Sequence, residues 1–425
     1  MNEEIPYTGT LPTHWRVIQN RFLFYYEGQK VGDAYNNYQL LSLTTSGVKK
    51  RDINSSGGKV PASYDNYQTV KRGQLVFCLF DLDCSAVFSG ISNYDGMITS
   101  AYDVYSCNEK MNNGYSDYWF KYVFSNRYYK MFSKSIRYTI TGEMFRSLKT
   151  PVPPIEEQRS ISSFLLNQEN KIDSLIQNVQ TQIEKLKAYK QSLITEVVTK
   201  GLDPTVPMKD SGVDWLGEIP EHWSKLPVKY IGTTQNGISK GGEYFGSGHP
   251  FVSYGDVYKN MELPRSVAGL VESTEAEREN YSVKTGDIFF TRTSETIDEV
   301  GFSSVCTETI QYATFAGFLI RLRPFNDVLT SLYAKYYFRG NHIRRYLVKE
   351  MNLVTRASLG QGLLKAMPVL LPPPDEQIAI AEYLRLKCSQ IDRLISIKQE
   401  KIEKLEQYKR SLIYEYVTGK KEVRL

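Results

Sequence analysis

The chain has 425 residues, too long for one ordinary core and suited to two or three domains of about 100–200 residues each. Hydrophobic residues make up 41% and charged residues 23%, a composition that excludes wholesale disorder, and apolar runs such as Val76-Phe77-Cys78-Leu79-Phe80 are far shorter than the roughly 20 residues of a membrane span. A formal charge of +5 permits a polyanionic partner without demanding one, while five scattered cysteines and four histidines offer neither a disulfide framework nor a Cys/His zinc module.

In chain order, the acidic opening Met1-Asn2-Glu3-Glu4 predicts no signal peptide, so a cytoplasmic protein is expected. Leu11-Pro12-Thr13-His14-Trp15 leads into residues 14–150, where short β-like runs (Gln39-Leu40-Leu41-Ser42-Leu43; Gln74 to Phe80) alternate with glycine and aspartate. Lys71-Arg72-Gly73 reads as a turn feeding a buried strand, and Tyr115 to Lys130 reads as helical. Pro151, Pro153 and Pro154 then stop regular structure ahead of a long helix, because proline lacks an amide donor and restricts its predecessor. Along that helix Leu165, Ile172, Ile176, Val179, Ile183, Leu186 and Leu193 recur at steps of three, four and seven, which places them on one narrow stripe. Thr199-Lys200-Gly201-Leu202-Asp203-Pro204 reads as a helix stop, followed by a linker through Ser211-Gly212 to Gly217.

The remaining chain repeats this plan. Ile219-Pro220-Glu221-His222-Trp223 matches the Trp15 segment 208 positions earlier, and Val283 to Phe290 parallels Val70 to Phe77 at an offset of 213. Residues 288–291 and Phe318-Leu319-Ile320-Arg321-Leu322 read as strands, and Leu329 to Leu347 as helical. Pro372, Pro373 and Pro374 precede a second long helix with its stripe at Leu384, Ile391, Ile395, Ile402, Leu405, Leu412 and Tyr416. Residues 157–199 and 376–418 align without a gap at an offset of 219, with 21 of 43 positions identical. So long a period means a duplicated domain with its helix, not a solenoid. The expected order is a domain at 1–154, a helix at 155–200, a linker at 201–221, a second domain at 222–374, a helix at 375–419 and a tail at 420–425. Each domain reads as α+β. The two stripes are expected to pack on each other, with Lys190, Lys398 and Lys409 interrupting them; periodicity alone leaves a parallel or an antiparallel pair open.

Basic residues in turn-rich settings are the candidates for contacting a polyanion: Lys49, Lys50, Arg51, Lys59 and Arg137 in the first domain, and Lys259, Arg265, Arg292, Arg344, Arg345 and Arg356 in the second. Catalytic motifs are missing. Ser56-Gly57-Gly58-Lys59 lacks the spacing of a phosphate loop, and there is no HExxH or CxxC. Asp81 and Asp83 beside an apolar strand read as a strand end rather than a metal site, and no metal ligands are expected. His14 and His222, each beside a tryptophan, read as structural anchors.

Several of these segments resemble the specificity subunit of Type I restriction-modification systems. The resemblance lies in Lys209-Asp210-Ser211-Gly212-Val213 followed by Trp215 to Trp223, in the Pro-Pro-x-x-Glu-Gln segments ending at Gln158 and Gln377, and in Ile172–Ile176 and Ile391–Ile395, in this order and nearly doubled. Arg356 to Gly362 matches a family region near the end of a recognition domain, which adds Ser358 as a DNA-facing candidate; the counterpart at Arg137 to Gly142 matches poorly. The resemblance implies an α+β protein with two similar target-recognition domains and an antiparallel coiled coil with pseudo-two-fold symmetry. It implies a non-catalytic subunit reading a bipartite double-stranded DNA target, one half-site per domain, and docking two adenine methyltransferase subunits through the helices. Restriction (motor) subunits would complete the complex. S-adenosylmethionine, ATP and Mg2+ are expected on those partners and no cofactor here, since the chain lacks the Asn/Asp-Pro-Pro-aromatic motif. The competing reading is a structural adaptor using a doubled protein-binding module.

Overall fold

The computed structural model describes residues 5–45, 47–51, 63–133, 137–294, 300–325, 328–350 and 357–423. The chain forms two compact units: residues 1–180 with 400–425, and residues 181–399. Each unit therefore takes half of each long helix.

The first unit is built on a four-stranded antiparallel sheet in the order Phe24–Tyr26, Asp103–Cys107, Leu75–Phe77, Ser89–Ile91. The strand Leu75–Phe77 is buried on both faces, and its period of two sends side chains to different cores. Leu75 and Phe77 join Tyr105, Phe120, Phe124 and Phe145 on the helix side. Val76 faces Leu41, Leu43, Val48 and Val104 on the other. The turn before it is of the glycine-requiring kind: Gly73 has φ +90°, Gln74 N–H donates to Lys71 O at 3.1 Å, and the Gln74 amide oxygen accepts from Lys71 N at 2.7 Å. The second unit repeats this with Gly232–Asn236, Leu319–Pro324, Ile288–Thr291 and Ser303–Val305, antiparallel throughout. Ile288 and Phe290 face one core and Phe289 another. Gly286 (φ +91°) and Asp287 reproduce the turn, with Asp287 Oδ2 accepting from Lys284 N at 2.7 Å.

Helices follow each sheet. Asn113–Ser125 is capped by the Asn112 side chain accepting from Tyr115 N, and Ser331–Tyr337 by Thr330 accepting from Tyr333 N. The helical stretches are shorter than the sequence suggests. Arg127, at φ 58°, ends the first before a short 3-10 turn at Tyr128–Met131, and Gly340 separates Ser331–Tyr337 from Asn341–Glu350.

The first long helix is Ile155–Lys200 and the second Pro374–Val417, of 46 and 44 residues. Both stop at a glycine in the left-handed region, Gly201 (φ +79°) and Gly419 (φ +68°). Their pairing is antiparallel in each unit. In the first, Phe164 meets Tyr416 with ring centroids 4.6 Å apart, and Asp173 meets Lys409 at 2.9 Å. In the second, Gln182 accepts from Lys398 at 2.6 Å and Lys190 meets Asp392 at 2.6 Å. The fold expected from the resemblance, two α+β heads each followed by a long helix with the helices antiparallel, is the fold observed. All three lysines that break the apolar stripe reach a polar group of the opposite helix.

Candidate functional site

Two constructions recur in both units: a junction where head and helices meet, and polar loops hung from the sheet. The junction explains the Glu-Gln pairs. Glu157, in the first turn of the first long helix, accepts from Trp15 Nε1 at 3.0 Å and lies 2.9 Å from His14 Nε2. Glu376 takes the same position with Trp223 Nε1 at 3.0 Å and His222 Nε2 at 2.8 Å. A carboxylate in a first helical turn also faces the positive end of the helix dipole. The next residue, Gln158, is fully buried; its amide accepts from Asn112 N at 2.7 Å and donates to Lys110 O at 2.9 Å and Pro153 O at 2.8 Å. Gln377 repeats all three with Thr330 N, Val328 O and Pro372 O.

The head also holds the far end of the opposite helix. The Tyr115 hydroxyl lies 3.0 Å from Pro151 O and 3.3 Å from Val417 O, at the end of the second long helix. Tyr333 lies 3.1 Å from Val198 O and 3.3 Å from Leu370 O. Burial of these two phenols pushes their pKa values well up, so both stay neutral donors. Sequence reading missed the tyrosines, although an offset of 218 relates them and lies between the offsets of the flanking repeats.

Among the stripe residues, Leu165, Ile172, Val179, Ile183, Leu193, Leu384, Ile391, Leu412 and Tyr416 are buried, and Ile176, Leu186, Ile395, Ile402 and Leu405 half-buried. Lys409 touches Glu169 at 2.8 Å as well as Asp173. Burial disfavours the Glu169 carboxylate, but Lys121 and Lys409 outweigh it and hold its pKa below the ordinary range.

The basic candidates divide by environment. Lys49 and Lys50 are the exposed end of the second strand of a hairpin, Leu41–Thr44 with Gly47–Lys50, and Lys50 Nζ lies 4.9 Å from the Tyr94 ring centroid. Arg51 follows them, its N–H donating to Leu40 O at 2.9 Å. Arg137 is exposed, and its carbonyl accepts from Leu82 N. Lys259 is exposed at the end of the helix Tyr254–Lys259, and Arg265 meets Glu308 at 2.9 Å. Arg292 and exposed Ser358 are brought together: Thr293 pairs with Ser358, and Leu359 N–H donates to Arg292 O at 2.7 Å. The first unit has the same join, Ile140 N–H donating to Leu79 O at 2.7 Å, which sets Arg137 beside the corresponding strand end. Arg345 is exposed, whereas Arg344 turns its guanidinium over Phe302, 5.4 Å from the ring centroid. Lys59 and Arg356 lie outside the described residues.

Other charged groups are structural. Arg323 makes a two-pronged pair with buried Asp287, both contacts at 2.6 Å. Arg339 donates to the carbonyls of Ser303, Val257 and Asn260. Asp83 pairs with Lys130 at 2.9 Å, which lowers its pKa. Among the described residues no cluster of three or more His, Cys, Asp or Glu could hold a metal ion, and no helix is long and apolar enough to cross a membrane. The five cysteines are free thiols.

The two units thus repeat one junction design and carry exposed cations on differing loops. Residues 229–407 match the family model of the Type I restriction modification DNA specificity domain. The chain is 26% identical over 286 residues to the Type I restriction enzyme MjaVIII specificity subunit of Methanocaldococcus jannaschii, covering 66% of this chain and 64% of that one. It is 26% identical over 244 residues to the EcoKI specificity subunit of Escherichia coli K12, covering 56% of this chain and 50% of that one. The match thus spans less than two thirds of the length of these relatives. A chain from a solved type I R-M system, described for its complex assembly and conformational transition, superimposes with a TM-score of 0.73 at 15% identity, covering 96% of this chain and 98% of that one. The crystal structure of the HsdS subunit from Thermoanaerobacter tengcongensis gives 0.53 at 16% identity, covering 97% and 98%. Residues 229–407 are thus similar to the DNA specificity domain of Type I restriction-modification systems, and the chain as a whole shares the fold of the solved relatives.

Proposed function

We propose that this chain selects the DNA target of a Type I restriction-modification complex, each head reading one half of a bipartite double-stranded site while the long helices dock two methyltransferase subunits. The observation that carries this reading is a shared frame bearing dissimilar loops. Sheet, turn, capped helix and junction repeat in both units, yet the first carries the Leu41–Lys50 hairpin where the second carries a three-stranded sheet with a parallel pair, Phe251–Val252 against Thr314–Phe315. Common frames with different loops suit two different half-sites on one polymer.

In this reading phosphate contacts set the position of each head and loop side chains read base edges. Lys49, Lys50, Arg51, Lys59 and Arg137 would serve one half-site; Lys259, Arg265, Arg292, Arg345, Arg356 and Ser358 the other. Arg344, stacked inward on Phe302, is the weakest of these candidates. The chain supplies no reacting group: methyl transfer belongs to the methyltransferase subunits, and ATP hydrolysis and cleavage to the motor subunits. Coexpression with the methyltransferase subunit, followed by mapping of methylated adenines, tests this directly. A two-part motif with a constant gap is expected; a single contiguous motif, or none, refutes it.

A further inference from the structure

At one end of the four-stranded sheet both heads use the same backbone join and carry different side chains on it. In the second unit Leu359 N–H donates to Arg292 O, as Ile140 N–H donates to Leu79 O in the first, both at 2.7 Å. Arg292 N–H donates in turn to Phe318 O at 2.9 Å, so Phe318, Arg292 and Ser358 come from three neighbouring segments onto one edge. Their counterparts are Ala101, Leu79 and Thr139, because Leu75 pairs with Tyr105 as Ile288 pairs with Leu322, and Ile140 takes the place of Leu359. A phenyl ring stands for a methyl group, and a guanidinium for a buried leucine. The frame is kept while the groups it presents are exchanged.

Phe318 is the residue of this edge that folding explains least. It sits at the corner of a tight turn, closed by Leu319 N–H donating to Ala316 O at 2.9 Å. From Ala313 to Leu322 every residue but two is buried; Gly317 is half-buried and Phe318 is 64% exposed. Among the described residues no aromatic ring or cation stacks on it. Phe80, an exposed ring near the matching edge of the first head, stacks instead on Tyr102 with centroids 6.2 Å apart. Glycine, asparagine or serine would suit such a corner without placing an apolar ring in water. The corner is also held firmly. Gly317 N–H donates to Ile238 O at 2.7 Å on one side, and Arg292 N–H holds Phe318 O on the other. A side chain on Gly317 would run into the Ser239 hydroxyl, so that exposed serine lies against the turn.

The groups around the ring identify what it meets. Arg292 is half-buried, and Ser239 and Ser358 are exposed. A guanidinium and hydroxyls bond the polar atoms of base edges, and an apolar ring among them matches the apolar group that the major groove offers, the thymine 5-methyl. A half-site with an adenine to be methylated holds a thymine opposite it, so that methyl group is on offer. A protein surface fits less well, since interface centres gather apolar and aromatic side chains, whereas this ring is flanked by a guanidinium and hydroxyls. We propose that Phe318 reads a thymine of the second unit's half-site by contact with its 5-methyl group, with Arg292 and Ser358 bonding neighbouring base edges. This role rests on the reading of each head as the reader of one half-site. It adds to that reading a residue and the chemical group it selects.

The test uses the full chain with its methyltransferase subunit and duplexes carrying the target found by methylation mapping. Each thymine of the target is replaced in turn by deoxyuridine, which deletes the 5-methyl group and keeps every base-pair bond. For wild type, at least one thymine should bind about fourfold more weakly as deoxyuridine, the effect of one methyl group withdrawn from water. Phe318→Ala should bring that ratio to about one while ratios in the other half-site stay as they were. Phe318→Leu keeps an apolar contact and should retain a ratio of about two, which also keeps the question measurable if the alanine variant folds poorly. An unchanged ratio in Phe318→Ala, or a wild type for which no thymine shows the effect, would overturn the proposal. Equal weakening of cognate and scrambled duplexes would make Phe318 a general DNA contact, and loss of bound methyltransferase would make it a protein contact; either overturns it too. A wild type that binds its mapped target no better than scrambled DNA would overturn the underlying reading, and the proposal with it.

Discussion

Replacing Gln158 by methionine isolates the junction, because the two side chains are close in volume and only the amide is lost. Asn112 N–H, Lys110 O and Pro153 O each lose a partner held at 2.7–2.9 Å. The Lys110 carbonyl belongs to an exposed residue and finds water, whereas the Pro153 carbonyl and the half-buried Asn112 amide do not readily do so. An unmet buried polar group costs about 1–3 kcal/mol, so Gln158→Met should cost roughly 2–4 kcal/mol. That is a large share of the ~5–15 kcal/mol by which domains are stable. Gln377→Met removes three equivalent bonds and should cost a similar amount in the other unit. Hydrogen exchange of the full chain reads the two units separately, and urea titration gives the size of the effect. Protection should fall around Ile155–Gln180 for Gln158→Met and around Pro374–Gln399 for Gln377→Met. A cost under about 0.5 kcal/mol, or an equal loss of protection in both units from either change, would refute the reasoning, since surface substitutions alone reach that size.

Three other outcomes are expected. His342 is buried and neutral, its pKa lowered to about 3 by burial and then by Arg345, so unfolded chains bind a proton that the fold refuses. The resulting stability is full above pH 6.5 and falls by about 1.4 kcal/mol per unit as pH drops toward 3; His342→Phe should remove that slope from urea titrations at pH 7 and 5. Glu169, held below its ordinary pKa, contributes stability above the unfolded value that is lost on acidification below about pH 4.5, so Glu169→Gln should lower stability at pH 7 and make the change between pH 5 and 3 shallower. On DNA, Arg292→Ala is expected to cost about 1–3 kcal/mol and relax one half-site in methylation mapping, whereas Lys49→Ala should weaken cognate and scrambled duplexes alike and reduce the salt slope; identical behaviour of the two variants would contradict their assignment.

What the sequence made legible was set by side-chain periodicity and by duplication. The stripe from Leu165 to Leu193 is a direct print of a helix buried on one side, and its repeat at 384–416 fixed the architecture. The Glu-Gln pairs were visible as letters, but their purpose needed coordinates: nothing local says that Gln158 reaches two carbonyls and an amide from separate segments. Direction was equally hidden, since the same stripe serves parallel and antiparallel pairs and only contacts such as Asp173–Lys409 decide. Charge was the least legible. Arg321 and Arg339 look like any other arginines in sequence, yet burial takes each down to a pKa of about 10 and packs it among carbonyl and amide oxygens. Arg344 was placed with the surface candidates for the same reason: one position along a helix separates it from exposed Arg345, and periodicity assigned neither.

The first unit closes over residues 400–425, and Tyr115 waits for the carbonyl of Val417. A ribosome adding about 5–20 residues per second leaves the amino-terminal head without Val417 for about 12–47 seconds after residue 180 has been made. The second unit, residues 181–399, is continuous and has no such delay. Maturation therefore runs opposite to synthesis: the half made last is finished first, and nascent chains carry an open apolar helix face on the older half, where chaperones would be expected to bind.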